Sequence, residues 1–175
     1  DKNLGARESQ VICGLDWVAQ HAASLNIKVA NMSLGGAGVK SACGTNSDPL
    51  HEAVCRATTA GVTLVVAAGN DGRDFGEAPV DTPAWFPEVL TVTAMSDGDG
   101  VSGGLHAPGC TAGESDDGYA SFSNFATLEA DGRVQLVGPV FGEVASGERG
   151  LGRMAEPAAI AAAAFSRLAP RDLAG

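Results

Sequence analysis

Aromatic residues are scarce in this chain: one Tyr, two Trp and six Phe among 175 residues. A core with so few rings must close by tight packing of small aliphatic residues. The 24 glycines and frequent alanines suit an α/β arrangement rather than disorder. Basic residues are also few, 11 Lys and Arg against 21 Asp and Glu, for a net charge of −10. That balance argues against nucleic acid and anionic membranes as partners, since both select basic surfaces. It leaves open whether the acidic surplus serves solubility or cation binding. No apolar run reaches the roughly 18 residues of a membrane-spanning helix. The opening residues, Asp1 to Gly5, lack the pattern of a signal peptide. A mature or truncated secreted chain would start the same way.

The four cysteines, at 13, 43, 55 and 110, match no zinc spacing. Cys43 and Cys55 flank a loop and the helix after it, which makes them the candidate disulfide. Cys13 falls in a predicted helix and reads as a buried free thiol. Cys110 sits in a Gly/Pro-rich loop, free or paired. The even count mildly favours an oxidising compartment.

The chain fits one domain, residues 1–175. Ser9 is placed to cap a helix, because its hydroxyl can accept an orphan backbone N–H. Val11, Ile12, Leu15, Val18, Ala19 and Ala22 follow at helical spacing, so the helix is expected to run to about Leu25 with Trp17 in the core. Ile27 to Met32 reads as a strand. Asp48 before Pro49 starts a second helix, whose buried stripe is Leu50, Ala53, Val54 and Ala57, with His51 exposed in its first turn. Gly61 stops it. Val62 to Val66 is a strand buried on both faces, and Val89 to Ala94 another. Strands and helices that alternate with short links imply right-handed crossovers and a parallel sheet. Ser96 to Asp117 is a long, polar, acidic loop. Tyr119 to Phe125 alternates aromatic and small residues, as a strand or strand-like turn does. Val134 to Val137 is a last short strand, and an Ala-rich helix follows Pro157 to about Leu168.

The stretch with most chemistry runs from Gly61 to Gly72, Gly-Val-Thr-Leu-Val-Val-Ala-Ala-Gly-Asn-Asp-Gly. Small residues end the strand, so backbone can come close there. Asn70 then stands at the carboxyl end of a central strand, where open α/β sheets bind ligands. An amide there can stabilise an oxyanion. On local chemistry alone a turn closed by Asn70, Asp71 and Gly72 is the commoner use of these residues.

Four motifs together resemble the subtilisin-like serine proteases, or subtilases. They are Val29-Ala-Asn-Met-Ser-Leu-Gly-Gly36, Ala67-Ala-Gly-Asn70, Pro83-Ala-Trp-Phe-Pro-Glu-Val-Leu-Thr-Val-Thr-Ala94 and Ala120-Ser-Phe-Ser-Asn-Phe125. The resemblance covers roughly residues 1–139. It implies a three-layer α/β fold, a mostly parallel sheet with helices on both faces, here without its first strands. It implies that Ser33, Leu34, Gly35 and Gly36 line a cleft and pair with an extended peptide, joined by Ala67 and Gly69. It makes Asn70 the oxyanion donor. It also implies an extracellular protein. The carbonyls of Pro87 and Val89 with the carboxylate of Asp97 match a calcium site in the proteinase K branch, although one extra residue precedes Asp97. No cofactor is otherwise required.

The match fails at the triad. Subtilases attack with Ser, move the proton with His and orient that His with Asp. The family's Asp and His lie upstream of anything in this sequence. The stretch matching the Ser motif is Leu151-Gly-Arg-Met-Ala-Glu-Pro157, which puts Arg153 at the nucleophile position. Anchoring on Ser146-Gly147 puts Arg149 there instead. Arginine stays protonated and cannot attack. By position Ser33 is the better substitute, although a hydroxyl bonded locally at a strand end is its commoner role. Two functions follow as expectations. One is a serine-type hydrolase of peptide or simple ester bonds, with Asn70 and a rebuilt nucleophile. The other is a non-catalytic scaffold that binds peptide or itself. An uncovered sheet edge further implies a homo-oligomer or a missing partner segment.

Overall fold

A computed structural model describes residues 7–75, 77, 79–96, 98, 113–116, 118–126, 140–143, 149–153 and 162. Contacts divide the chain into two compact units, one of residues 1–70 and 74–93, the other of 71–73 and 94–175.

In the first unit, helix α1 (Glu8–His21) begins two residues earlier than a Ser9 cap would set it, with Arg7 at the cap position. The Gln10 side chain accepts the Arg7 backbone N–H at 2.9 Å, so the cap is made from inside the first turn. The helix ends before Leu25. Asn26 adopts φ +53°, and the Ile27 N–H reaches back to the Ala22 carbonyl at 2.9 Å. Asparagine tolerates this left-handed backbone, and the bond is the reverse turn that closes a helix. Leu15 and Ala22 are the buried positions of the α1 face. Trp17 is not in the core. It is 50% exposed and stacks on His21 at 4.3 Å, one helical turn away. Cys13 is likewise exposed, on the helix face opposite the buried stripe.

Strand β1 (Val29–Met32) leads to the short β2 (Gly36–Gly38) and then to α2 (Pro49–Thr59). Asp48 caps α2 as expected: its carboxylate accepts the Leu50 N–H at 2.9 Å and the His51 N–H at 3.3 Å. Leu50, Ala53, Val54 and Ala57 form the buried stripe. The two helices pack on each other, and Arg56 holds Asp16 at 2.7 Å across them. Both ends of that pair are well exposed, so its contribution is small.

Strand β3 (Thr63–Ala67) lies between β1 and β5 (Leu90–Val92), parallel to both. The parallel sheet is therefore as the alternation implied. Burial on both faces is not: Leu64 and Val66 are buried, while Thr63 and Val65 on the other face are half-buried. Strand β4 (Val80–Thr82) pairs antiparallel with β2. It opens the turn that buries Ala84, Trp85 and Phe86.

In the second unit, β6 (Met95–Ser96) pairs antiparallel with β7 (Gly118–Tyr119). The chain then turns, so the alternation at 119–125 belongs to a strand end and a packed turn. Glu114 fastens this turn. One carboxylate oxygen accepts the Ser121 hydroxyl at 2.6 Å and the Ser121 N–H at 2.8 Å, and the other accepts the Ser96 hydroxyl. Those bonds, the Ser121 hydroxyl first, hold the Glu114 carboxyl below its ordinary pKa. A hairpin of β8 (Val140–Glu143) and β9 (Arg149–Arg153) follows. The strand expected at 134–137 lies outside the described residues, as does the helix after Pro157 apart from Ala162.

Candidate functional site

The site at the sheet's carboxyl edge follows from register. Met32 on β1 pairs with Val66 on β3, both strands running the same way. Ser33 therefore leaves the sheet beside Ala67, and the segments 33–36 and 67–70 emerge side by side. The Ala68 N–H bonds to the Val92 carbonyl at 2.9 Å, which ties the exit of β3 to β5. Gly69 follows at φ +109°, a conformation that favours glycine. That bend presents Asn70 on an exposed turn. Ser33, Leu34, Gly35 and Gly36 are exposed as well. The six residues expected to line a cleft are thus brought to one edge, next to the amide expected to serve it.

Ser33 has a local partner rather than a base. The Asn31 amide donates to its hydroxyl oxygen at 3.0 Å. Among the described residues, the two imidazoles bond elsewhere. His21 meets the Trp17 carbonyl at 2.7 Å, and His51 meets Ser41 and Glu88. Pro87 is exposed and Val89 half-buried in one turn. Asp97, His106, Cys110 and Ser146 lie outside the described residues. Arg149 and Arg153, the residues at the two alternative nucleophile positions, stand on the extended backbone of β9.

The structure corrects the expectation for His51, which is fully buried. Its Nδ1 lies 2.7 Å from the Ser41 hydroxyl and its Nε2 2.8 Å from a Glu88 oxygen. Both ring nitrogens are satisfied, so burying the imidazole costs little. One face of the ring stacks on Phe86 at 3.9 Å, nearly parallel. The first-turn position hid this in the sequence: an N-terminal helix turn is usually solvated, and Glu88 is 37 residues away. The expected Cys43–Cys55 disulfide is present beside this chain of bonds.

In the second unit, Asn124 secures the residues that follow Asn70 in the chain. Its Oδ1 accepts the Asp71 N–H at 2.9 Å and the Arg73 N–H at 3.2 Å. The Phe125 N–H bonds to the Arg73 carbonyl at 3.0 Å, and the Gly72 N–H to the Phe122 carbonyl at 2.8 Å. Gly72 sits at φ +62°, where a Cβ would lie 2.6 Å from the Ser121 carbonyl oxygen. Asn124 and the backbone of Phe122 and Phe125 in the fourth motif therefore clamp the 71–73 segment.

The parallel sheet thus carries a glycine bend and an amide at the carboxyl end of its central strand, the place where open α/β sheets bind ligands. The match is specific: residues 3–150 fit the model of the subtilase family, and the chain belongs to that family. It is 43% identical over 99 residues to an extracellular serine proteinase of Thermus sp. (strain Rt41A), covering 57% of this chain and 21% of that protein. It is 38% identical over 118 residues to a cuticle-degrading serine protease of Arthrobotrys oligospora, covering 67% and 22%. Subtilisin-like protease 1 of Arthroderma otae is 34% identical over 149 residues, covering 79% and 28%. A solved structure, the S41 psychrophilic protease, shares the fold at a TM-score of 0.53 and 21% identity, over 97% of this chain and 53% of that one. The chain thus spans between 21% and 28% of the length of these curated relatives. No helix among the described residues is long and apolar enough to cross a membrane.

Proposed function

We propose that this chain is the oxyanion and substrate-strand portion of a serine-type hydrolase that cleaves peptide or simple ester bonds. The observation that carries this reading is the side-by-side exit of Ser33–Gly36 and Ala67–Asn70 at one sheet edge. An extended substrate adds there as a strand, and the Asn70 amide donates to the oxygen that gains charge as the carbonyl is attacked. Ser33 is the candidate hydroxyl on the substrate strand, leaving β1 beside Ala67. A hydroxyl needs an adjacent base to attack, and Asn31 is not one. A simple activated ester is therefore the better first substrate, since its leaving group needs less protonation than an amine. Calcium at Pro87, Val89 and Asp97 belongs to the same reading: two carbonyls and a carboxylate are the hard donors that ion takes. No step of the hydrolysis runs through it. An extracellular setting also belongs here, by analogy with the Thermus proteinase.

Asn70→Ala tests the proposal. Ester turnover is expected to fall by about 10²–10³-fold, the range for one oxyanion donor. Labelling with a fluorophosphonate probe and peptide mass spectrometry would name the nucleophile. Unchanged turnover in Asn70→Ala removes Asn70 from the mechanism. No label and no turnover in the parent leaves the second reading, a peptide-binding scaffold without chemistry.

Self-association is part of the proposal. Among the described residues β1 has one sheet neighbour, and Val29 on it is 55% exposed. An unpaired, apolar strand edge drives association. Light scattering on the purified chain should give at least a dimer mass, and a monodisperse monomer would rule it out.

A further inference from the structure

We propose that Cys43, His51, Cys55 and Glu88 form a zinc site that opens when the Cys43–Cys55 disulfide is reduced. One donor atom from each of these residues lies within 4.8 Å of the others. Tetrahedral zinc with sulfur at about 2.3 Å and nitrogen or oxygen at about 2.0–2.2 Å sets its ligands roughly 3.3–3.8 Å apart. Small shifts therefore suffice. Two thiolates, an imidazole and a carboxylate are donors that zinc accepts. Cysteine spacing alone matches no zinc pattern, because half of this set is not cysteine.

Placement favours the set. His51 and Cys55 are four apart on α2 and share a face. Glu88 is already fixed there, with one oxygen on His51 and the other 3.2 Å from the Cys43 sulfur. Cys43 is exposed on the loop before α2, so it is the sulfur free to move.

The surroundings are those of a supported ligand. A carboxylate only accepts, so in the disulfide form His51 Nε2 carries the proton toward Glu88, and Nδ1 accepts the Ser41 hydroxyl. Ligation through Nε2 requires the proton on Nδ1. Ser41 can receive it, because its own hydrogen has a second acceptor in Asp48 Oδ2 at 3.4 Å. An outer hydrogen bond of this kind fixes the tautomer of metal-bound histidines.

The chemistry balances. A phosphine attacks one sulfur, the S–S bond breaks, and the other sulfur leaves as a thiolate. Water then displaces the phosphorus, which departs as phosphine oxide, and two thiols remain. Both thiols lose their protons as Zn²⁺ binds. The disulfide and the metal thus exclude each other.

The test uses the full chain carrying Cys13→Ser and Cys110→Ser, titrated with Co²⁺ before and after phosphine reduction and desalting. Expected are the thiolate charge-transfer band and visible bands of tetrahedral Co²⁺ in the reduced protein alone, saturating at one ion per chain and displaced by Zn²⁺. Glu88→Gln and Ser41→Ala, both mild in shape, should each weaken binding by about tenfold or more. Equal bands before reduction would overturn the proposal. So would a reduced protein that binds no Co²⁺, whether folded or unfolded by circular dichroism. Glu88→Gln and Ser41→Ala that both bind like the parent would overturn it too.

Discussion

Phe86→Ala should lower unfolding stability by about 3–5 kcal/mol, the cost of removing a fully buried ring and leaving a cavity. Phe86 is 2% exposed, and its ring lies flat on His51. The loss is expected at the upper end for a reason beyond volume. His51 is fully buried with both nitrogens engaged, so its ring depends on an apolar face for cover. A cavity there admits water to the bonds with Ser41 and Glu88. Phe86→Leu keeps most of the volume and should recover more than half of the loss. Phe122, at 47% exposure, is the control, and Phe122→Ala should stay within about 0.5 kcal/mol of the parent. Denaturant midpoints at unchanged slope would measure all three. A Phe86→Ala loss under about 1 kcal/mol would show that this ring does not close the core.

Asn124→Ala should cost about 2–4 kcal/mol. One side-chain oxygen satisfies two backbone amides, Asp71 and Arg73, and Asn124 itself is fully buried. Alanine leaves both donors unpaired, at roughly 1–3 kcal/mol each before relaxation. Aspartate keeps the acceptor but buries a charge, so Asn124→Asp is not a neutral substitute. The distinctive readout is local. Amide exchange at residues 71–73 should accelerate more than elsewhere in the same unit, because the clamp acts on that segment. Uniform acceleration would reduce Asn124 to an ordinary core residue. Loss of exchange protection at 71–73 together with weaker ester turnover would tie the clamp to the neighbouring Asn70.

These cases show what the residues disclosed and what they withheld. Strand direction was legible because a strand, a helix and a strand follow in turn from β1 through α2 to β3, which leaves a parallel crossover as the simple solution. The end of β3 was legible as well: glycines and an amide after an apolar run mark a strand exit. Local periodicity also found the α2 stripe and its Asp48 cap. It failed where a distant residue decides the outcome. His51 looked solvated until Glu88, Ser41 and Phe86 were brought around it. Trp17 looked like core because large apolar residues usually are, yet the residues buried along this helix and its cap are Leu15 and Ala22. The alternation at 119–125 said nothing of Asn124 itself, whose role depends on two amides more than 50 positions earlier.

The placement of the few aromatic rings gives the protein two separate optical reporters. Both tryptophans, Trp17 in the open and Trp85 buried under the Lys40 ammonium, belong to the first unit. The sole tyrosine, Tyr119, belongs to the second, edge-on to Phe125. Tryptophan emission therefore follows the sheet and its helices, and tyrosine absorbance follows the Glu114 and Asn124 turn. Coincident transitions in the two signals would mean that both units melt as one cooperative body. Separated ones would let each half of the chain be weighed alone.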